Sequence, residues 1–347
     1  MGETMQISAG KLWSLRRLSD ARGFFTMIAV DQRPGVEQLV AERHGSADWT
    51  EIGKIKRLLI EELSPHASAM LLDPQYAFPY AHPALDPARG LLITLEQFAC
   101  EEGLGGRKTL IYPGWSVAKI KRLGADGVKL MLWYRPDASP EVLAHQHALV
   151  EQVGQECREH DIPFLLEPLV YPLGGSAAGD SYHEDSEKRP EIVLATVKEF
   201  RKERYGVDIF KLETPIAAKV IVDPEDGSAE AAETQVWFDR IDAMLDRPWV
   251  MLSAGAAMEP FRRILTYAFR AGASGYLAGR AIWWPAALEY PDWDAFRSRV
   301  REHGLPYVAL VQSLLAKHGR PWTSKPAFAG GPVMAHGGPE FLQSYQG

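Results

Sequence analysis

The chain has 347 residues, 46% of them apolar, with 38 Lys+Arg against 45 Asp+Glu and a formal net charge of −7. That composition supports a sizeable core and excludes collagen, coiled coil and a disordered chain; the acidic balance argues against a nucleic-acid or membrane-surface binder, which wants basic excess. Two cysteines, Cys100 and Cys157, make neither a disulfide framework nor a zinc cluster, and no run of about 18 apolar residues occurs, so a soluble cytoplasmic protein is expected.

In chain order the candidate strands are Phe25–Asp31, Ala69–Asp73, Leu91–Leu95, Val128–Trp133, Pro163–Leu169, Asp208–Thr214, Trp249–Gly255 and Gly275–Ile282. Helix-like stretches lie between them, among them Trp49–Leu63, Pro140–His160, Pro190–Arg204, Thr234–Leu245 and Glu259–Ala271. Near-continuous apolar strands separated by helices mark a buried parallel sheet. Eight such units predict a single-domain (β/α)8 TIM barrel over residues 1–318. No GxGxxG turn follows the first strand, which weakens a dinucleotide-binding alternative.

Two segments break the rhythm. Gly174–Lys188 is a polar, Gly/Ser-rich loop after the fifth strand, on the face where barrel active sites lie. After a helix-like Tyr307–His318, residues 319–347 form a C-terminal tail, dense in Gly and Pro over Gly319–Pro339. The tail reads either as irregular surface chain or as a lid over the barrel mouth.

The informative positions are charged residues inside apolar strands, because an isolated buried charge is costly unless it is paired or used. Side chains alternate along a strand, so parity sorts them by face. Asp31 falls with Met27 and Ala29, Lys129 with Met131 and Trp133, Glu167 with Leu165 and Leu169, and Lys211 with Ile209 and Glu213. In each strand the opposite face is aliphatic or aromatic. Two lysines and two carboxylates are therefore expected to point into one barrel near its C-terminal end.

Such a set suits amine chemistry. A lysine on an interior strand is held neutral by desolvation and a nearby ammonium, and attacks a ketone to form a Schiff base. That adduct withdraws electrons while a carbon–carbon bond breaks, with a carboxylate moving the protons. At the last two strands, Leu252–Gly255 (LSAG) and Ala278–Ala281 (AGRA) put small residues beside Arg280, a combination suited to a phosphate at the usual barrel position.

Several segments together resemble the tagatose-1,6-bisphosphate aldolases: AVDQRPG (29–35), LLDPQYAFP (71–79), VKLMLWYRPD (128–137), LLEPLVYPL (165–173), the run 188–215 ending in FKLETP, LSAGA (252–256) and GYLAGRAIW (275–283). That family comprises class I, Schiff-base aldolases on a (β/α)8 barrel and includes sulfofructose-phosphate aldolases. The resemblance implies Lys211 as the Schiff-base lysine, Glu167 as the acid/base of the carbinolamine steps, Lys129 as a second lysine and Asp31 as the carboxylate near the breaking bond. It also implies Gln32 as a substrate-binding residue, and Ser253, Gly255, Gly279 and Arg280 as the phosphate site for the dihydroxyacetone-phosphate half. Parity and resemblance select the same four charged residues.

The activity so implied is reversible cleavage of a ketohexose 1-phosphate or 1,6-bisphosphate to dihydroxyacetone phosphate and a three-carbon aldehyde, with no cofactor and no metal. The partner expected is a small sugar phosphate, with neither nucleic acid nor membrane; a homo-oligomer is compatible, the helix after Tyr307 being a candidate subunit contact. Alternatives are a sulfofructose-1-phosphate aldolase, a metal-assisted lyase using Asp31, Asp73, Glu167 and Glu213, and a non-catalytic sugar-phosphate sensor. Arg33 and Arg135 are candidates for a far anionic group. His145 and His147, two residues apart on a helix, face apart and do not suggest a metal pair. Trp283 and Trp284 read as core.

Overall fold

Eight parallel strands close into a barrel in sequential order: β1 (Phe25–Ala29), β2 (Ala69–Leu72), β3 (Gly90–Thr94), β4 (Gly127–Trp133), β5 (Phe164–Leu169), β6 (Ile209–Leu212), β7 (Trp249–Met251) and β8 (Gly275–Ala278), with β8 pairing back onto β1. The computed structural model describes residues 5–172, 190–328 and 330–345. This is the expected (β/α)8 architecture. The loop Gly174–Lys188 lies outside the described residues. Among those that are described, no helix is long and apolar enough to cross a membrane.

Local chemistry sets the helices. Trp49–Leu63 starts after Asp48, whose side chain accepts from the Glu51 N–H at 2.9 Å; Ser139, followed by Pro140, and Ser228 cap Pro140–Glu159 and Ala229–Met244 in the same way. Met258–Ala271 buries Phe261, Ile264, Leu265 and Ala268, the i, i+3, i+4, i+7 stripe that seats a helix on a sheet. The final expected strand is shorter than Gly275–Ile282, because Gly279 ends it and Arg280–Ala287 is helical. An antiparallel hairpin, Glu96–Gly103 with Gly106–Ile111, follows β3 and was not expected.

Alternation divides the core as parity predicts. Val128, Leu130, Phe164, Leu166, Phe210 and Leu212 pack outward in the large strand–helix core. Inside, Met27, Ala29, Leu165 and Ile209 fill the lower barrel, while Met131, Trp133 and Leu169 form an apolar layer nearer the mouth. Asp31, Glu167 and Lys211 each follow a lower-layer residue by two positions, and Lys129 precedes an upper-layer one by two. The charged side chains thus occupy one level between two apolar layers.

The C-terminal segment does not form a lid. Trp322 and Phe328 are buried in the lower core, and the backbone N–H groups of Arg320, Trp322 and Ala327 donate to carbonyls of Ala273, Gly23 and Asp246, just before β8, β1 and β7. Val333–Met334 pairs with Gln6–Ile7. Lys325 is buried and paired with Asp242. This part of the chain therefore closes the bottom of the barrel, because its two large aromatics need an apolar site and the strand N-termini supply one.

Candidate active site

The four charged residues singled out by parity meet at the C-terminal end of the barrel. Glu167 bridges the two lysines: its Oε1 lies 2.7 Å from Lys211 Nζ and its Oε2 lies 2.9 Å from Lys129 Nζ. Lys129 is also 3.1 Å from Asp31 Oδ2 and 2.8 Å from Glu96 Oε1. All four line one cleft of about 640 Å³, open to solvent, together with Phe98, Met131, Leu169, Leu252 and the loops after β7 and β8. The cleft has a polar floor and apolar walls, the lining of a small-molecule site.

Electrostatics give the groups different characters. Burial works against a charge on Asp31, but the ammonium groups of Lys129 and Lys211 and the Arg33 guanidinium outweigh it and hold its carboxyl well below the usual carboxylate range. Burial likewise opposes the Lys129 ammonium, yet Glu167, Glu96 and Asp31 push its pKa well above the ordinary lysine value. Asp31 is thus a fixed negative charge at neutral pH and Lys129 a fixed positive one. Among the described residues no group of three or more His, Cys, Asp or Glu is placed to hold a metal ion. The cation within reach of Asp31, Glu96 and Glu167 is the protein's own Lys129.

At the ends of β7 and β8, between the strands that carry Lys211 and Asp31, Ser253, Gly279 and Arg280 line the same cleft. Gly255 has φ +80°, and a Cβ there would lie 3.2 Å from the guanidinium carbon of Arg280. A Cβ on Gly279 would meet the Ala29 carbonyl at 2.6 Å. Glycine is favoured at Gly255 by its left-handed φ, with a Cβ also pressing on the arginine, and is required at Gly279 by the close approach of the β1 carbonyl. Gln32 also lines the cleft, but its Oε1 is used locally, accepting from the N–H of Gly35 at 2.9 Å.

Other expectations are redistributed. Arg33 lines the cleft but is buried, 3.4 Å from Glu96 Oε1 and over the Tyr112 ring. Arg135 bonds Asp137 and the Tyr171 carbonyl. Glu213 shares parity with Lys211, yet its carboxylate accepts from the Val170 N–H. Trp283 is buried as core, as expected, and it also lines the cleft and donates from Nε1 to the Ala29 carbonyl at 2.9 Å. His145 and His147 bond Thr109 and Tyr134 separately.

Glu96 was missed altogether. It is fully buried and holds Lys129, Arg33 and, through Oε2, the Met131 N–H at 2.9 Å. Its signal in the sequence was weak, because it stands one residue beyond the expected third strand, where a charge reads as loop.

Comparison with known proteins follows the same lines. A family model described as DeoC/LacD family aldolase matches residues 25–284. A tagatose 1,6-diphosphate aldolase of Listeria monocytogenes is 33% identical over 327 residues, covering 92% of this chain and 96% of its own. One from Lactococcus lactis is 34% identical over 328 residues, covering 92% and 100%. Among solved structures, an archaeal fructose 1,6-bisphosphate aldolase aligns with TM-score 0.55 at 19% identity over 88% of this chain and 99% of that one. A fructose-bisphosphate aldolase from Plasmodium falciparum aligns with TM-score 0.64 at 12% identity over 92% and 99%. At those identities the structures speak to the fold alone.

Proposed function

The chain belongs to the DeoC/LacD aldolase family, and from that premise we propose that it is a class I ketose-phosphate aldolase of the tagatose-1,6-bisphosphate type. Its reaction is the reversible cleavage of the sugar to dihydroxyacetone phosphate and glyceraldehyde 3-phosphate.

The observation that carries this reading is the 2.7 Å contact between Lys211 Nζ and Glu167 Oε1 inside the cleft. A carboxylate at that distance takes a proton from the amine, which then attacks the C2 carbonyl; the carboxylic acid so formed protonates the carbonyl oxygen, takes a second proton from the carbinolamine nitrogen and gives it to the departing hydroxyl, so that water leaves as the iminium forms. The iminium accepts the electron pair of the C3–C4 bond as the C4 hydroxyl passes its proton to the Glu167 carboxylate, set free again by the dehydration, and the aldehyde departs. Protonation of the enamine at C3 and hydrolysis of the iminium return the free amine and dihydroxyacetone phosphate. Lys129 supplies a fixed positive charge for substrate oxygens. Asp31, held ionised, accepts a hydrogen bond from a substrate hydroxyl beside the breaking bond. Ser253, Gly279 and Arg280, with Gly255 making room for the arginine, bind the 1-phosphate.

Borohydride reduction in the presence of dihydroxyacetone phosphate tests the mechanism. A covalent adduct is expected on the peptide carrying Lys211, read by mass spectrometry. An active enzyme with no adduct there overturns it.

A further inference from the structure

The turn that carries Asp31 and Gln32 is gripped from behind the cleft. Lys56, on the helix Trp49–Leu63, is fully buried, and its Nζ donates to the carbonyls of Val30 and Gln32, each at 2.7 Å. These two carbonyls flank Asp31. The third partner of Lys56 is Asp73 Oδ2 at 2.6 Å. Asp73, just beyond β2, is fully buried as well, and its Oδ1 accepts from the N–H groups of Gln75 and Tyr76 at 2.9 and 2.6 Å. Lys56 is not among the residues lining the cleft.

A buried ion pair is a poor way to gain stability, since apolar residues of similar volume often serve as well or better. What this one supplies is geometry. Beyond the Val30 N–H, which still donates to the Leu71 carbonyl, the strand ladder stops orienting the chain, and one ammonium collects the carbonyls on both sides of Asp31. That sets the peptide planes at residues 30 to 32, and with them the direction in which the Asp31 carboxylate leaves the backbone. Its 3.1 Å contact with Lys129 depends on that direction.

We propose that Lys56, locked by Asp73, is a positioning residue for the carbon–carbon cleavage step, acting by holding Asp31 against Lys129 and the substrate hydroxyl. The inference rests on the aldolase reading above. It assigns to the pair no contact with substrate and no part in Schiff-base formation.

K56M alone strands the Asp73 carboxylate and is expected to melt at lower temperature, so the deciding variant is K56M/D73N. There both buried charges go, and the asparagine oxygen still accepts from the Gln75 and Tyr76 amides. Two readouts are compared with wild type: borohydride trapping of dihydroxyacetone phosphate on Lys211, which involves no bond cleavage, and kcat for cleavage of tagatose 1,6-bisphosphate. Trapping at the wild-type extent with kcat lowered about 100-fold is expected, the scale on which a misplacement of about 1 Å acts. Cleavage within about threefold of wild type, or an equal loss of trapping and cleavage, overturns the proposal. A wild-type enzyme that cleaves the sugar without trapping overturns the Schiff-base reading instead, so the two failures are distinct.

Discussion

Lys211 and Glu167 face one another at 2.7 Å, and the far oxygen of the same carboxylate sits 2.9 Å from Lys129. In the proposed mechanism one acid group therefore serves an amine that has to become a nucleophile and an ammonium that stays charged. The two lysines differ in their surroundings: Lys129 has two further carboxylates, Asp31 and Glu96, against it, whereas the ion pair of Lys211 is with Glu167 alone among the described residues. That asymmetry matches the division of roles between an attacking amine and a fixed charge.

Removing the shared carboxylate should disable proton transfer without emptying the cleft. E167Q keeps the size of the side chain and loses its capacity to take a proton from Lys211. A fall in kcat of about 10²–10⁴-fold is expected, measured in a coupled assay for triose phosphate. A variant retaining more than about a tenth of wild-type kcat would remove Glu167 from the acid/base role.

Glu96 should matter first for stability. It is fully buried between Lys129 and Arg33, so truncation leaves two cations short of a partner. E96A is expected to lose about 3–5 kcal/mol, the usual cost of breaking a buried ion pair from one side. Denaturant unfolding monitored by circular dichroism measures it, and an unchanged midpoint contradicts the role given to Glu96.

The pH dependence follows from the sign of the Asp31 shift. Its carboxyl is lowered on folding from an ordinary value of 3.8, so the stabilisation is complete above about pH 5 and is lost as the pH falls toward the depressed folded value. D31N should therefore lose less stability than wild type between pH 4 and pH 2, and the gap between their unfolding free energies should be constant above about pH 5. Asp31 should also contribute no acidic limb to kcat/KM above about pH 4. Parallel stability curves for the two proteins down to pH 2 would show that Asp31 is not held ionised by its neighbours.

The phosphate side makes a separate prediction about KM. R280A removes charge-assisted hydrogen bonds to an anion, and KM for a phosphorylated ketose should rise about 10–100-fold, more than kcat falls. G255A should act in the same direction, because its Cβ would crowd the guanidinium at 3.2 Å on a backbone with φ +80°. Unchanged KM in both variants would move the phosphate elsewhere in the cleft.

Much of this protein was determined by its linear pattern. Eight apolar runs separated by amphipathic helices specify the barrel, and strict alternation along a strand decides which side chain faces inward. Asp31, Lys129, Glu167 and Lys211 could therefore be assigned to one interior before any contact was known. Glu96, Lys56 with Asp73, and the second task of Trp283 were decided only by tertiary structure. Glu96 lies beyond a strand end, Lys56 reaches in from an outer helix, and the Trp283 indole bonds a carbonyl 254 positions away. The C-terminal segment is the same case, since its Gly- and Pro-rich sequence carries no period that names a face, and only the apolar opening at the bottom of the closed barrel gives Trp322 and Phe328 a place to be buried. Periodicity encodes which way a side chain points within its own element; what it meets there depends on elements distant in the chain, and that is settled when the barrel closes.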